Sequence, residues 1–64
     1  MTIKEMRTLT GLSQSKFAAY FEITVGTLQH WEIGFRTPPP YVPKMMERIL
    51  RLEGMIKEPK ENQE

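Results

Sequence analysis

Between Ser13 and Lys44 the sequence gathers side chains suited to holding a ligand by hydrogen bonds and charge. Gln14 and Gln29 each carry an amide, a donor beside an acceptor, and that of Gln29 could pair with the edge of an adenine. Ser13, Ser15, Thr24 and Thr27 add hydroxyls, and His30 adds an imidazole that can donate to a guanine or a phosphate. Val25 offers methyl groups of the kind that meet a thymine methyl. Lys16, Arg36 and Lys44 are cations that can neutralise phosphates. The sets that bond-breaking chemistry requires are missing: no Ser–His–acid trio, glycine-rich phosphate loop or carboxylate pair stands out. The expectation is a binding protein, not an enzyme. His30 has no second ligand at a fitting spacing, so neither a metal nor another cofactor is expected; its plainer role is a solvated helix residue.

A chain of 64 residues holds one domain at most. Such a domain buries only about 60% of its unfolded surface and is marginal by itself. With no Cys, neither disulfides nor thiolate metal sites can reinforce it. This suits a cytoplasmic protein. No apolar run approaches the roughly 20 residues that span a membrane, and Met1–Glu5 lacks the plan of a signal peptide. The net charge of +1 hides an asymmetry. Residues 1–52 hold seven Lys/Arg against four Glu, giving +3, and residues 53–64 hold two Lys against four Glu, giving −2. A modestly basic body therefore carries an acidic tail.

Those polar groups must be positioned by helices. Thr2-x-x-Glu5 is a capping box, Ile3, Met6 and Leu9 follow as an apolar stripe, and Gly11 is a natural stop. Ser13 can cap a second helix, with Leu12 and Phe17 at hydrophobic-staple spacing and Phe17, Ala18 and Phe21 on the buried face. Thr24 can cap a third, with Ile23 and Leu28 as its staple, Leu28 and Trp31 inward and Gly34 at its end. Only Glu22 and Ile23 separate the two, which forces a sharp crossing. The run Thr37-Pro38-Pro39-Pro40 cannot continue a helix and reads as a rigid connection. A fourth helix is expected from Pro40 or Tyr41, with Pro43 tolerated in its first turn. Val42, Met45, Ile49, Leu52 and Ile56 should form its buried stripe, widened by Met46 and Leu50. Met45, Met46 and Met55 serve either the core or a face shared between two copies. In the second case Met46→Lys should weaken ligand binding without unfolding the monomer. Glu58–Glu64 has no apolar residue. The expected organisation is a single domain over residues 1–57 and a disordered acidic tail over 58–64.

Two helices that cross closely need a small residue at the contact and apolar residues around the turn. Ala18, Phe21, Ile23, Leu28 and Trp31 meet that need, as in a DNA-binding helix-turn-helix. The chain resembles the Xre family of bacterial and phage regulators, also called the Cro/CI type. The resemblance is carried by Arg7, Gly11-Leu12-Ser13-Gln14, Phe17-Ala18, Ile23-Thr24, Leu28, Trp31-Glu32-x-Gly34, Arg36 and Pro38. It covers about half of the chain.

The resemblance implies an all-α, compact four-helix domain of the Cro/CI, lambda-repressor-like type, with a central helix-turn-helix. It implies that Ser13, Gln14, Ser15 and Lys16 face a phosphate at the start of the second helix, where free amides favour an anion. The helix over about 24–34 becomes the recognition helix, with Thr24, Val25, Gly26, Thr27, Gln29, His30 and Ile33 outward and Arg36 and Lys44 on flanking phosphates. Arg7 and Glu32 are expected to pair as a fold element. Two departures stand out. Glu22 occupies a turn position where the family often has Gly, and four helices stand where the family commonly has five. The implied function is a sequence-specific regulator of transcription bound to double-stranded DNA; the apolar excess of the fourth helix adds the expectation of a homodimer through that face. The alternative is an antitoxin or adaptor that uses the same fold to dock a toxin or another protein partner.

Overall fold

Three of the four helices begin on the same device, a hydroxyl that accepts a hydrogen bond from an otherwise unpartnered amide. In the computed structural model, which describes residues 1–56, the helices are α1 (Ile3–Thr10), α2 (Gln14–Tyr20), α3 (Val25–Ile33) and α4 (Tyr41–Leu52). The Thr2 hydroxyl accepts from the Glu5 amide at 3.1 Å, and the Glu5 carboxylate accepts from the Thr2 amide at 2.7 Å. Ser13 accepts from the Lys16 amide and Thr24 from the Thr27 amide, both at 3.1 Å. Helix α4 starts at Pro40 with no side-chain cap. Pro43 already removes one of its free amides, and the Val42 amide is satisfied by the Pro39 carbonyl at 2.9 Å.

Helix ends follow the same logic. Gly11 and Gly34 stop α1 and α3 in the left-handed conformation, at φ 77° and 83°. The α2–α3 turn takes that conformation at Glu22, φ 58°, the one non-glycine residue with positive φ among the described residues. Its amide reaches the Ala19 carbonyl at 3.1 Å, and the Ile23 amide reaches Ala18 at 2.9 Å. The turn thus keeps the geometry that Gly favours and carries a strain of about 1 kcal/mol.

The core combines Ile3 and Met6 of α1, Phe17 and Ala18 of α2, Leu28 of α3, Met46 and Leu50 of α4, and Ile56. Leu12, Phe21, Ile23, Trp31, Val42 and Met55 pack around it, half-buried. Ala18 sits buried in this cluster, as a close helix crossing requires. The Phe21 ring closes the turn side against Phe17 at 5.0 Å and Tyr20 at 4.9 Å between centroids.

Two expectations are corrected. Leu9 lies on the exposed side of α1, leaving Ile3 and Met6 as its buried pair. On α4 the inward row is the buried Met46 and Leu50 with the half-buried Val42, while Met45 is 53% and Leu52 71% exposed and Ile49 also faces out. Seven apolar residues from Tyr41 to Leu52 spread over roughly half the helix circumference, more than one neighbouring layer can cover. The row spaced by four residues wins the core. Met46, 4% exposed, is therefore a core residue, so Met46→Lys would unfold the monomer and cannot probe a shared face. The expected tail over 58–64, and the domain boundary at residue 57, lie outside the described residues. No described helix is long and apolar enough to cross a membrane.

Candidate nucleic-acid interface

Helix α3 is held from behind and open in front. Leu28 is fully buried and Trp31 half-buried, whereas Thr24, Val25, Gln29, His30 and Ile33 are exposed. Gly26 and Thr27, expected outward, are half-buried at the start of the helix. Thr27 is further occupied, since its hydroxyl accepts from that of Thr24 at 2.8 Å. A Cβ added at position 26 would meet nothing within 4 Å, so packing inside the protein does not require the absence of a methyl there. Ser13, Ser15 and Lys16 are exposed at the start of α2.

Gln14 is placed differently from its neighbours. Arg7 and Glu32 pair as expected, the guanidinium donating from Nε to Oε2 at 2.6 Å and from Nη2 to Oε1 at 3.1 Å. Arg7 also donates from Nη1 to the Leu12 carbonyl at 3.2 Å, which ties the end of the α1–α2 connection to the pair. The Gln14 amide then donates to Glu32 Oε1 at 3.0 Å and accepts from the Gln29 amide at 3.2 Å. Gln14 is thus half-buried in a network that joins α1, α2 and α3, and its link to Glu32 was not foreseen from the sequence. The Arg7 hydrogen bond holds the Glu32 carboxyl below the usual range; burial opposes this, and the Gln14 hydrogen bond and the charges of Arg7 and Lys4 reinforce it. The same hydrogen bond raises Arg7, against its own desolvation.

The far end of α3 carries a feature that the sequence reading missed. The His30 ring packs on Phe35 at a tilt of 57°, centroids 4.9 Å apart, and the Arg36 guanidinium lies 5.9 Å from the Phe35 centroid. Phe35 remains 67% exposed. The signal was present in Gly34: an apolar residue just after a C-terminal Gly commonly packs back on the last turn, and the Phe35 amide indeed reaches the His30 carbonyl at 2.9 Å. His30, Phe35 and Arg36 thus form one exposed group. Lys44 is not joined to it by any hydrogen bond, ion pair or stacking contact among the described residues. It lies along α4 with Tyr41, Met45, Arg48 and Leu52, beside the Glu47–Arg51 ion pair.

The arrangement can present amides, hydroxyls, an imidazole and cations on one projecting helix and its borders. Compared with models of known protein families, residues 3–53 match the one described as helix-turn-helix. No curated protein and no solved structure matches the chain.

Proposed function

The chain belongs to the helix-turn-helix family of the Cro/CI type, a family of DNA-binding regulators, and from that premise we propose that it is a sequence-specific regulator of transcription. Helix α3 enters the major groove, with Thr24, Val25, Gly26, Thr27, Gln29 and His30 at or near base edges. Ser13, Gln14, Ser15 and Lys16 border a phosphate on one side; Arg36, and Lys44 from α4, neutralise others. The observation that carries this reading is the exposed polar face of α3, backed by the buried Leu28 and flanked by the exposed start of α2.

Two copies pair through α4, with Tyr41, Met45, Ile49 and Leu52 as the shared surface. All four are exposed, and they continue the open cleft of about 280 Å³ between Phe21, Ile23 and Trp31 on one side and α4 on the other. A twofold axis there makes one apolar row serve both copies and brings two recognition helices to two half-sites.

Selection of bound sites from random DNA tests the proposal. Wild type should return a consensus, and Gln29→Ala and His30→Ala should each alter it. The same consensus from all three proteins would overturn the recognition face. A protein without salt-dependent DNA affinity that retains a cellular partner would favour the antitoxin or adaptor reading, with the α4 cleft as the docking site.

A further inference from the structure

We infer that Arg7, Glu32 and Gln14 are positioning residues for base reading by Gln29, because their hydrogen-bond chain dictates which edge of the Gln29 amide faces DNA. This rests on the proposal that α3 reads bases. A side-chain amide can turn over at little steric cost, exchanging donor for acceptor. Here the exchange is blocked from one end. Glu32, held by Arg7 at 2.6 and 3.1 Å, can only accept. Gln14 must therefore turn its NH₂ group to Glu32, as it does at 3.0 Å. Its carbonyl oxygen is left facing Gln29 and requires a donor, which Gln29 supplies at 3.2 Å.

With one amide hydrogen committed inward, Gln29 keeps its carbonyl oxygen and its other N–H. That pair matches N6–H and N7 of adenine, the bidentate pattern of a glutamine on A·T. Burial follows the same direction. The Glu32 side chain is 4% exposed and that of Arg7 18%, Gln14 is half-buried and Gln29 is exposed. The fixed end is inside and the reading end outside, so Gln29 meets DNA with its polarity set in advance and less rotational freedom to lose. His30, packed at a tilt on Phe35, stands outside this chain.

The test compares binding-site selection by the full chain as wild type, Gln29→Ala, Gln14→Met and Glu32→Gln, with thermal unfolding of each. Gln14→Met cuts the chain at its centre and leaves the Arg7–Glu32 pair whole, so the fold should persist. The expected result is that Gln29→Ala removes an adenine preference at one position. Gln14→Met then weakens preference at that same position by about tenfold, leaving the other positions as they were. Glu32→Gln, whose amide can face Gln14 either way, should relax the same position. The inference is overturned if Gln14→Met lowers affinity equally for all sequences while the Gln29-dependent preference stays, because Gln14 then acts on the backbone alone. If Gln29→Ala changes no position, base reading by Gln29 fails first, and the positioning role falls with it.

Discussion

Gly26→Ala should make the protein more stable and worse at binding DNA. Gly26 lies in the first turn of α3, outside the left-handed region, and an added Cβ meets nothing within 4 Å. The substitution therefore brings no clash and relieves the backbone entropy that Gly loses in a helix, about 0.5–1 kcal/mol. For a domain this small that is a rise of about 2–8 °C in Tm. It is a large gain against a total stability on the order of 3–10 kcal/mol. The open space has another use in the proposed complex, where the start of α3 approaches the groove between Val25 and Thr27. A methyl group there holds the helix off, and affinity should fall by about tenfold or more, the equivalent of one base contact. Thermal melts followed by circular dichroism read the first effect, and fluorescence anisotropy titration of a selected duplex reads the second. A lower Tm would refute the account of the space around Gly26. A higher Tm with unchanged affinity would refute its close approach to DNA.

Other substitutions separate the remaining roles. Met46→Ala should cost about 2–5 kcal/mol by opening a cavity in the core, whereas Met45→Lys should leave the melting curve near wild type and abolish self-association in sedimentation. Glu22→Gly should stabilise by about 1 kcal/mol, relieving the left-handed strain at φ 58°, measurable as a higher urea midpoint. The Glu32 carboxyl titrates below its unfolded value of about 4.3, so its contribution is complete above that pH and is lost as pH falls through the depressed folded value. Urea midpoints between pH 6 and pH 3 should therefore fall for wild type on the acid side and run flatter for Glu32→Gln. At neutral pH Arg7→Ala should cost about 3–5 kcal/mol, since it leaves a buried carboxylate unpaired.

Local signals in the chain were legible because they act over a few residues. Thr2 with Glu5, Ser13, Thr24, Gly11 and Gly34 mark helix ends in the sequence and do so in the structure. The Arg7–Glu32 pair followed from the resemblance. The facing of α4 did not follow from periodicity, because its apolar residues exceed what one side can bury and only the tertiary contact with α1, α2 and α3 selects Met46 and Leu50. Gln14 shows the same limit within the site. At the start of α2 it reads as a solvent-facing phosphate ligand, yet the crossing of α2 on α3 brings Glu32 and Gln29, distant in sequence, within hydrogen-bond reach. Glu22 was legible as an anomaly but not as a conformation, since a non-glycine side chain hides the left-handed turn that the surrounding hydrogen bonds impose.

Sequence-specific DNA binding through α3 is tested by titrating the full chain onto a selected duplex and onto a scrambled duplex of equal length at two salt concentrations. The selected duplex should bind at least about 10³-fold tighter, and both affinities should fall as salt rises. Equal affinity for the two duplexes, or no salt-dependent binding to either, would contradict sequence-specific binding.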